Sequence, residues 1–402
     1  MPYRVTQLFG KDLEPVPDSS DAVDYYHSNL ATPVTCGQVL ARLDPILQET
    51  NSATDHKLSR DDFIITEPAD IISATVEFLE KGDELFIISR KDGFPALLNK
   101  KITVNDRLVI DGDINFHTGN IDCSGDLLVN GSIMAGFKVK ADNLTVNGSI
   151  ENAEVVCHGD LVCSGGIVAC NDFPLICGGS LWVKYIENSI LEIKNDLFIS
   201  GSSLHNSIKV AGSIVLCHDS AILVGGKCES GHSLYSGVIG AKWATPTEII
   251  IGCDPFLTQK LKNHCQNLEK IVTELNELRN RIEQINIYLQ HEEGKTTSKE
   301  AHKLQEEREL LESKSSFITQ KYNTALKKRE QLQQQIDEFK KQNLNASLYV
   351  ASQLFSGVNL TIKDATIRID EEVTGVTVLS EVDEEIVNIN RVKEDSVQET
   401  QD

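Results

Sequence analysis

Gly125-Asp126-Leu127-Leu128-Val129, Asp142-Asn143-Leu144-Thr145-Val146 and Gly159-Asp160-Leu161-Val162-Cys163 are three versions of one unit. Gly179-Ser180-Leu181-Trp182-Val183, Asn195-Asp196-Leu197-Phe198-Ile199 and Gly212-Ser213-Ile214-Val215-Leu216 continue it. Aligned on the central aliphatic residue, positions 127, 144, 161, 181, 197 and 214 are separated by 17, 17, 20, 16 and 17 residues. Apolar residues alternate with others within each unit, as in a half-buried strand. Four residues after the anchor comes Gly131, Gly148, Gly165 or Gly201, preceded by Asn or Ser. Such pairs are expected to supply the positive φ of a tight corner. A second short strand is expected at 138–140, 154–156, 175–177, 191–193 and 208–210.

A 17-residue unit with glycine corners cannot bury an apolar face by itself. Stacking does so: each turn lies about 4.8 Å from the last, and Leu127, Leu144 and Leu161 become rungs of one internal ladder. The fold class is therefore mainly β, a single-chain parallel β-solenoid of roughly seven to nine turns. Propeller repeats of about 40 residues do not fit, nor does the leucine-rich consensus. Gly125, Gly131, Gly148, Gly159 and Gly165 are the expected turn residues. The 20-residue step falls at 168–178, where Asn171-Asp172-Phe173-Pro174 should bulge outward, making Phe173 a candidate partner surface.

Before the solenoid, residues 1–100 read as a small α+β region. Its elements are a short helix over 36–47, a strand at 63–65, a helix over 69–79 and a strand over 84–88. It is expected to plug the open first edge. The solenoid itself covers 101–254. From 255 to 343 the apolar period changes to three and four. The first seam runs from Leu261, His264, Leu268 and Ile271 to Leu289, the second from Leu304 and Arg308 to Phe339. The segment 291–298, with Gly294, separates them. This predicts an antiparallel coiled-coil hairpin reaching about 50–65 Å at 1.5 Å per residue. Its tip at Gly294 is a second candidate partner surface. The seams leave open a homo-oligomer through the coiled coil. An antiparallel hairpin returns the chain to its departure point, so 344–380 should resume as strands capping the last turn. Residues 381–402 read as an acidic, disordered tail.

The formal net charge of −22 argues against nucleic acid as a partner, because phosphate contacts need clustered Lys and Arg. No window resembles a membrane span, and the beginning of the sequence lacks a signal-peptide pattern, which together lead to a cytoplasmic expectation. Ten irregularly spaced cysteines then read as reduced thiols. Cys157, Cys163, Cys170 and Cys177 are six or seven residues apart, unlike the close pairs of zinc sites, so no metal and no cofactor is assigned. Asp126, Asp160 and Asp196 recur at one corner and raise the possibility of a carbohydrate-active β-helix. They share that slot with Asn143, Ser180 and Ser213, however, which points to turn chemistry, and no catalytic residue is assigned.

Asp113-Ile114-Asn115-Phe116-His117-Thr118-Gly119-Asn120-Ile121, with Val129-Asn130-Gly131-Ser132-Ile133 and Val146-Asn147-Gly148-Ser149-Ile150-Glu151-Asn152-Ala153, closely resembles the solenoid signature of the flagellar assembly protein A family. Thr118, Gly119 and Asn120 lie at the heart of that motif. Gly159-Asp160-Leu161 and Lys184-Tyr185-Ile186-Glu187-Asn188-Ser189 continue the match, which covers roughly residues 90–380. The resemblance implies a bacterial cytoplasmic β-solenoid linked to flagellar assembly or to placement of the flagellum. It brings no catalytic activity. The expectation is a non-enzymatic scaffold with protein partners. A self-assembling cytoskeletal filament is the alternative.

Overall fold

The computed structural model describes residues 3–8, 33–46, 62–82, 84–98, 101–291, 298–343, 345–382 and 385–388. Nearly all the β structure from residue 107 onward belongs to one sheet that winds around a central core in parallel register. Leu108, Leu127, Leu144, Leu161, Leu181, Leu197, Ile214, Leu234 and Leu348 pair rung to rung along a first face. All nine are buried. The second face stacks Ile121–Asp122, Lys138–Ala141, Glu154–Cys157, Leu175–Cys177 and Ile190–Ile193. Later strands continue it up to Val358–Ile362.

A third face was not foreseen. Ile114, Ile133, Ile150, Ile167 and Ile186 form a fully buried isoleucine ladder. Its early rungs are single bridges or two-residue strands, too short to show an alternating pattern. The solenoid has about eight turns, and a turn averages nearer 19 residues than 17. Steps of 20 occur where a corner is longer, as between Leu161 and Leu181 or Ile214 and Leu234.

Residues before the solenoid form a five-stranded antiparallel sheet in the spatial order Asp62–Ile65, Tyr3–Gln7, Val39–Pro45, Glu84–Ser89, Val76–Lys81. The two helices expected here are corrected to strands. In Val39–Pro45 a bulge between Val39 and Ala41 shifts the alternation. Leu40, Ala41 and Leu43 are all buried, which imitates a helical spacing. The 69–79 segment keeps only a 3-10 turn at Pro68–Asp70; Val76–Lys81 pairs along its whole length with Glu84–Ser89, and this pairing overrides helix propensity. Phe94, in a hairpin with Lys101–Asn105, joins the solenoid core at its first turns.

The chain leaves the solenoid after Thr247–Ile251 and re-enters at Ser347–Leu354. Between them run two helices, α1 (Pro255–His291) and α2 (Ser298–Gln342). Asp254 caps α1: its Oδ1 accepts the backbone N–H groups of Phe256 at 2.8 Å and Leu257 at 3.2 Å. Pro255 fits the first helical position, where no amide partner is needed. The helices are antiparallel, since His264 Nε2 bonds the Ala325 carbonyl at 2.8 Å and Arg281 pairs with Glu307 at 3.0 Å. Leu268, Leu275, Ile285, Ile318 and Ile336 are the buried seam positions. At 1.5 Å per residue the 45 residues of α2 extend about 68 Å.

After re-entry, Ala365–Ile369 folds back antiparallel on Val358–Ile362, and Thr377–Val382 folds back on Ser347–Leu354. The expected disorder from 381 onward is corrected for its first residues. Glu385–Asn388 is a strand paired with Thr377–Val382, and Ile386 packs against the solenoid core. That apolar contact outweighs the acidic composition. Residues 389–402, like 1–2 and 9–32, lie outside the described residues.

Candidate functional site

Corner chemistry accounts for most of the residues singled out in the sequence. In one corner slot, each side chain bonds the turn above it. Asp126 Oδ1 accepts from Asn143 Nδ2 at 2.8 Å, and Asn143 Oδ1 accepts the Asp160 N–H at 2.9 Å. Asp160 Oδ1 accepts the Ser180 N–H at 2.8 Å, and Asp196 Oδ1 accepts the Ser213 N–H at 2.7 Å. Asp160 and Asp196 thus satisfy backbone donors at corners, where the sheet ladder cannot, and Asp126 satisfies the Asn143 side-chain amide. A parallel row links Asp113 Oδ1 to the Ser132 N–H at 2.7 Å and Ser132 Oγ to the Ser149 N–H at 3.0 Å.

These ladders explain the glycines, and the explanation differs from the expected one. Gly131, Gly148, Gly159 and Gly165 do not have positive φ. They lack a side chain because none fits: a Cβ on Gly159 would stand 2.3 Å from Asn143 Oδ1, and one on Gly148 2.3 Å from Ser132 Oγ and 2.7 Å from the Gly131 carbonyl carbon. Gly125 instead lies over the Phe94 ring. In the family motif, Gly119 is left-handed with φ 67°. Thr118 Oγ1 accepts the Asn115 N–H at 2.8 Å, and Asn120 Oδ1 accepts the Lys138 N–H at 2.8 Å. Leu127, Leu144 and Leu161 are core rungs.

The cysteines belong to the same account. Cys177 Sγ donates to the carbonyls of Gly159 at 3.3 Å and Ser180 at 3.4 Å. Ser230, in the same slot farther along, donates to Gly212 at 2.8 Å and Ser233 at 3.1 Å. A small buried donor bonds the corner carbonyls at these two rungs, while Ile193 and Val210 fill the same slot between them. Cys157 and Cys177 are neighbours in register. The hydrogen bond to Cys177, and then burial, hold the Cys157 thiol well above its ordinary pKa. Burial pushes Cys163 to about 11 and Cys228 to about 12. Among the described residues no group of three or more His, Cys, Asp or Glu side chains could hold a metal ion.

Two kinds of surface remain. The first is the rod. Several outward side chains of the second face are charged and cross-paired, as in Lys138–Glu154 at 2.7 Å, Lys140–Asp122 at 3.6 Å and Lys209–Glu192 at 3.4 Å, while Val156, Ile176 and Ile250 stand in the same row. On the first face the outward row is Val109, Leu128, Thr145, Val162, Trp182, Phe198, Val215, Tyr235 and Tyr349, in register. Trp182 stacks on Phe198 at 5.4 Å and 10°, and Tyr235 lies 5.9 Å from Tyr349. This row was missed because outward strand positions were read only as the polar half of the alternation. Phe173 is exposed on its bulge, with the Lys138 ammonium 5.8 Å from its ring, while Asp172 accepts from Asn152 at 3.0 Å.

The second surface is the helical arm. Outside the seam, Leu310 and Phe317 are more than half exposed, Phe317 directly beside the buried seam residue Ile318. Arg281, Ile285, Tyr288, Leu304 and Glu307 line a groove of about 500 Å³. The base of the arm is held firmly. Asn343 Nδ2 donates to the Gly231 carbonyl, His232 meets Asn343 Oδ1 at 3.1 Å and packs 5.7 Å from Phe339, and Lys340 pairs with Asp364. The Lys194 ammonium sits 3.0 Å above the Phe256 ring, and burial lowers its pKa. Gly294, at the expected tip, lies outside the described residues.

A chain wound into a parallel solenoid, interrupted by a helical arm and closed by antiparallel strands, belongs to the repeat proteins, in which each unit contacts only its neighbours along the stack. Within that class, the sequence model of the flagellar assembly protein A β-solenoid domain matches residues 106–386. The chain belongs to that family. Searches among curated proteins and among solved structures give no match. No described helix is long and apolar enough to cross a membrane.

Proposed function

We propose that the protein is a non-enzymatic scaffold of the bacterial cytoplasm that takes part in flagellar assembly or in placing the flagellum, with protein partners docking on its helical arm. The observation that carries this reading is the arm itself. It stands on a preorganised rod, its base is fixed by Asn343, His232 and Lys340, and it presents Leu310 and Phe317 outward beside its buried seam. Rigid presentation lowers the ordering cost of binding, which suits a protein that sets distances between others.

The corner carboxylates support the non-enzymatic reading, because Asp126, Asp160 and Asp196 bond neighbouring turns. The filament alternative is weakened by the antiparallel strands Ala365–Ile369 and Thr377–Val382 at the last turn, since end-to-end stacking of a parallel solenoid needs an open edge there. Proximity labelling in the host tests the proposal, comparing the full chain with the Leu310→Ser/Phe317→Ser variant. Flagellar structural or placement proteins should be labelled by the former and lost with the latter. Labelling dominated by the protein itself in both would favour self-assembly.

A further inference from the structure

We propose that the first face of the solenoid is a homodimer interface, on which a second copy of this chain docks with the two rods parallel. The inference rests on the outward apolar row and is independent of the flagellar reading.

The row is out of place on a solvated surface. On the neighbouring second face charged outward side chains form cross-rung ion pairs and the apolar ones, Val156, Ile176 and Ile250, are only partly exposed, whereas Val162, Trp182 and Tyr235 are each more than a third exposed. A continuous apolar patch of this kind marks an interaction surface. Nine rungs at about 4.8 Å give a strip about 40 Å long, and a four-residue strand makes it about 13 Å wide. Two such strips face to face enclose about 1,000 Å² in all, the lower limit of a specific interface. Trp182 at its centre, and Tyr235 and Tyr349 at one end, are of the residue types that carry binding energy.

Three features select the occupant. The aromatic faces are already used, since Trp182 and Phe198 stack nearly parallel at 5.4 Å. At that central pair the facing ring surfaces are covered by each other and are no platform for a sugar ring. Spacing comes next. A helix advances about 5.4 Å per turn and drifts out of step with rungs about 4.8 Å apart, while a second copy has the same period and stays in step along the whole strip. Charge then sets the direction. One edge of the face carries Asp126, Asp142, Asp160 and Asp196. The opposite edge has Asp111 at the first rung, facing Arg107 of the partner in a parallel pair, and then Asn130, Asn147, Ser164, Lys184 and Ser200 at the matching turns. A twofold axis along the rods lays each acidic edge over the partner's mostly uncharged edge. An axis across the rods would set acid against acid.

Sedimentation equilibrium of the full chain from 1 to 100 μM provides the test. The expected species has twice the 44.4 kDa chain mass. Trp182→Asp/Tyr235→Asp should weaken association at least tenfold, and Leu310→Ser/Phe317→Ser on the arm should leave it unchanged. A photo-crosslinking residue at Leu128 in the otherwise unaltered chain reports direction without relying on the charged variant's folding. Links between copies should fall near Leu128 and Thr145 of the partner. Monomer throughout the range, or a dimer abolished only by the arm variant, would overturn the proposal. Links to the Tyr235–Tyr349 end would overturn the parallel arrangement.

Discussion

Asp160 Oδ1 accepts the backbone N–H of Ser180 at 2.8 Å, and a Cβ added to Gly179 would stand 2.2 Å from that same oxygen. The ladder and the glycine are therefore one device. Gly179→Ala should break the Asp160 bond and push the turns apart. The expected loss is about 1–3 kcal/mol, the usual range for overpacking. Urea unfolding followed by circular dichroism measures it, with Gly136→Ala as a comparison at a position where a Cβ would meet nothing within 4 Å but φ is 86°. That comparison separates close approach from backbone strain.

Adjacent residues should differ sharply. Leu161 is a fully buried rung and Val162 points outward. Leu161→Ala should cost about 2–5 kcal/mol. Val162→Thr should stay within about 0.5 kcal/mol. Chemical denaturation of the two variants checks the register of the first face directly.

Cys177 and Ser230 fill equivalent slots, and both donate to corner carbonyls. Cys177→Ser should therefore be tolerated within about 1 kcal/mol. Cys177→Ala should cost more, because it leaves the carbonyls without their donor as well as opening a gap. Thermal melts of the two proteins give the ranking.

Alkaline pH should reveal the buried thiols. Cys163 and Cys228 have their pKa values raised from 9.0 to about 11 and about 12. Below pH 9 both folded and unfolded thiols are protonated, and the contribution to stability is complete. Above 9 the unfolded chain loses protons that the folded chain keeps, so stability falls as pH rises from 9 toward 11 and 12. Each such thiol contributes a slope of up to about 1.4 kcal/mol per pH unit. Unfolding curves at pH 8, 9 and 10 should show the decline, and Cys228→Ala should make it shallower.

The repeat made the first face legible, because Leu127, Leu144 and Leu161 each sit inside an alternating run with a polar residue before it. The second strands were legible for the same reason. The third face was hidden because Ile114 and Ile133 meet through isolated bridges with no run around them. Gly131 and Gly148 were recognisable as corner residues, but the oxygen each one avoids belongs to another turn, so the cause emerged only with the stacking. The Val39–Ala41 bulge produced a false helical period. Trp182 and Phe198 were in plain view, yet nothing local indicates that outward residues 16 positions apart will stack.

The proposed role of this solenoid and its arm is in flagellar assembly. The most direct measurement is electron microscopy of flagella on host cells that lack the protein, with the wild-type chain or the Leu310→Ser/Phe317→Ser chain restored. Cells without it should lose or misplace flagella. Wild type should restore them, and the arm variant, present at equal level with an unchanged circular dichroism spectrum, should not. Flagella normal in number and position in cells lacking the protein would contradict the claim.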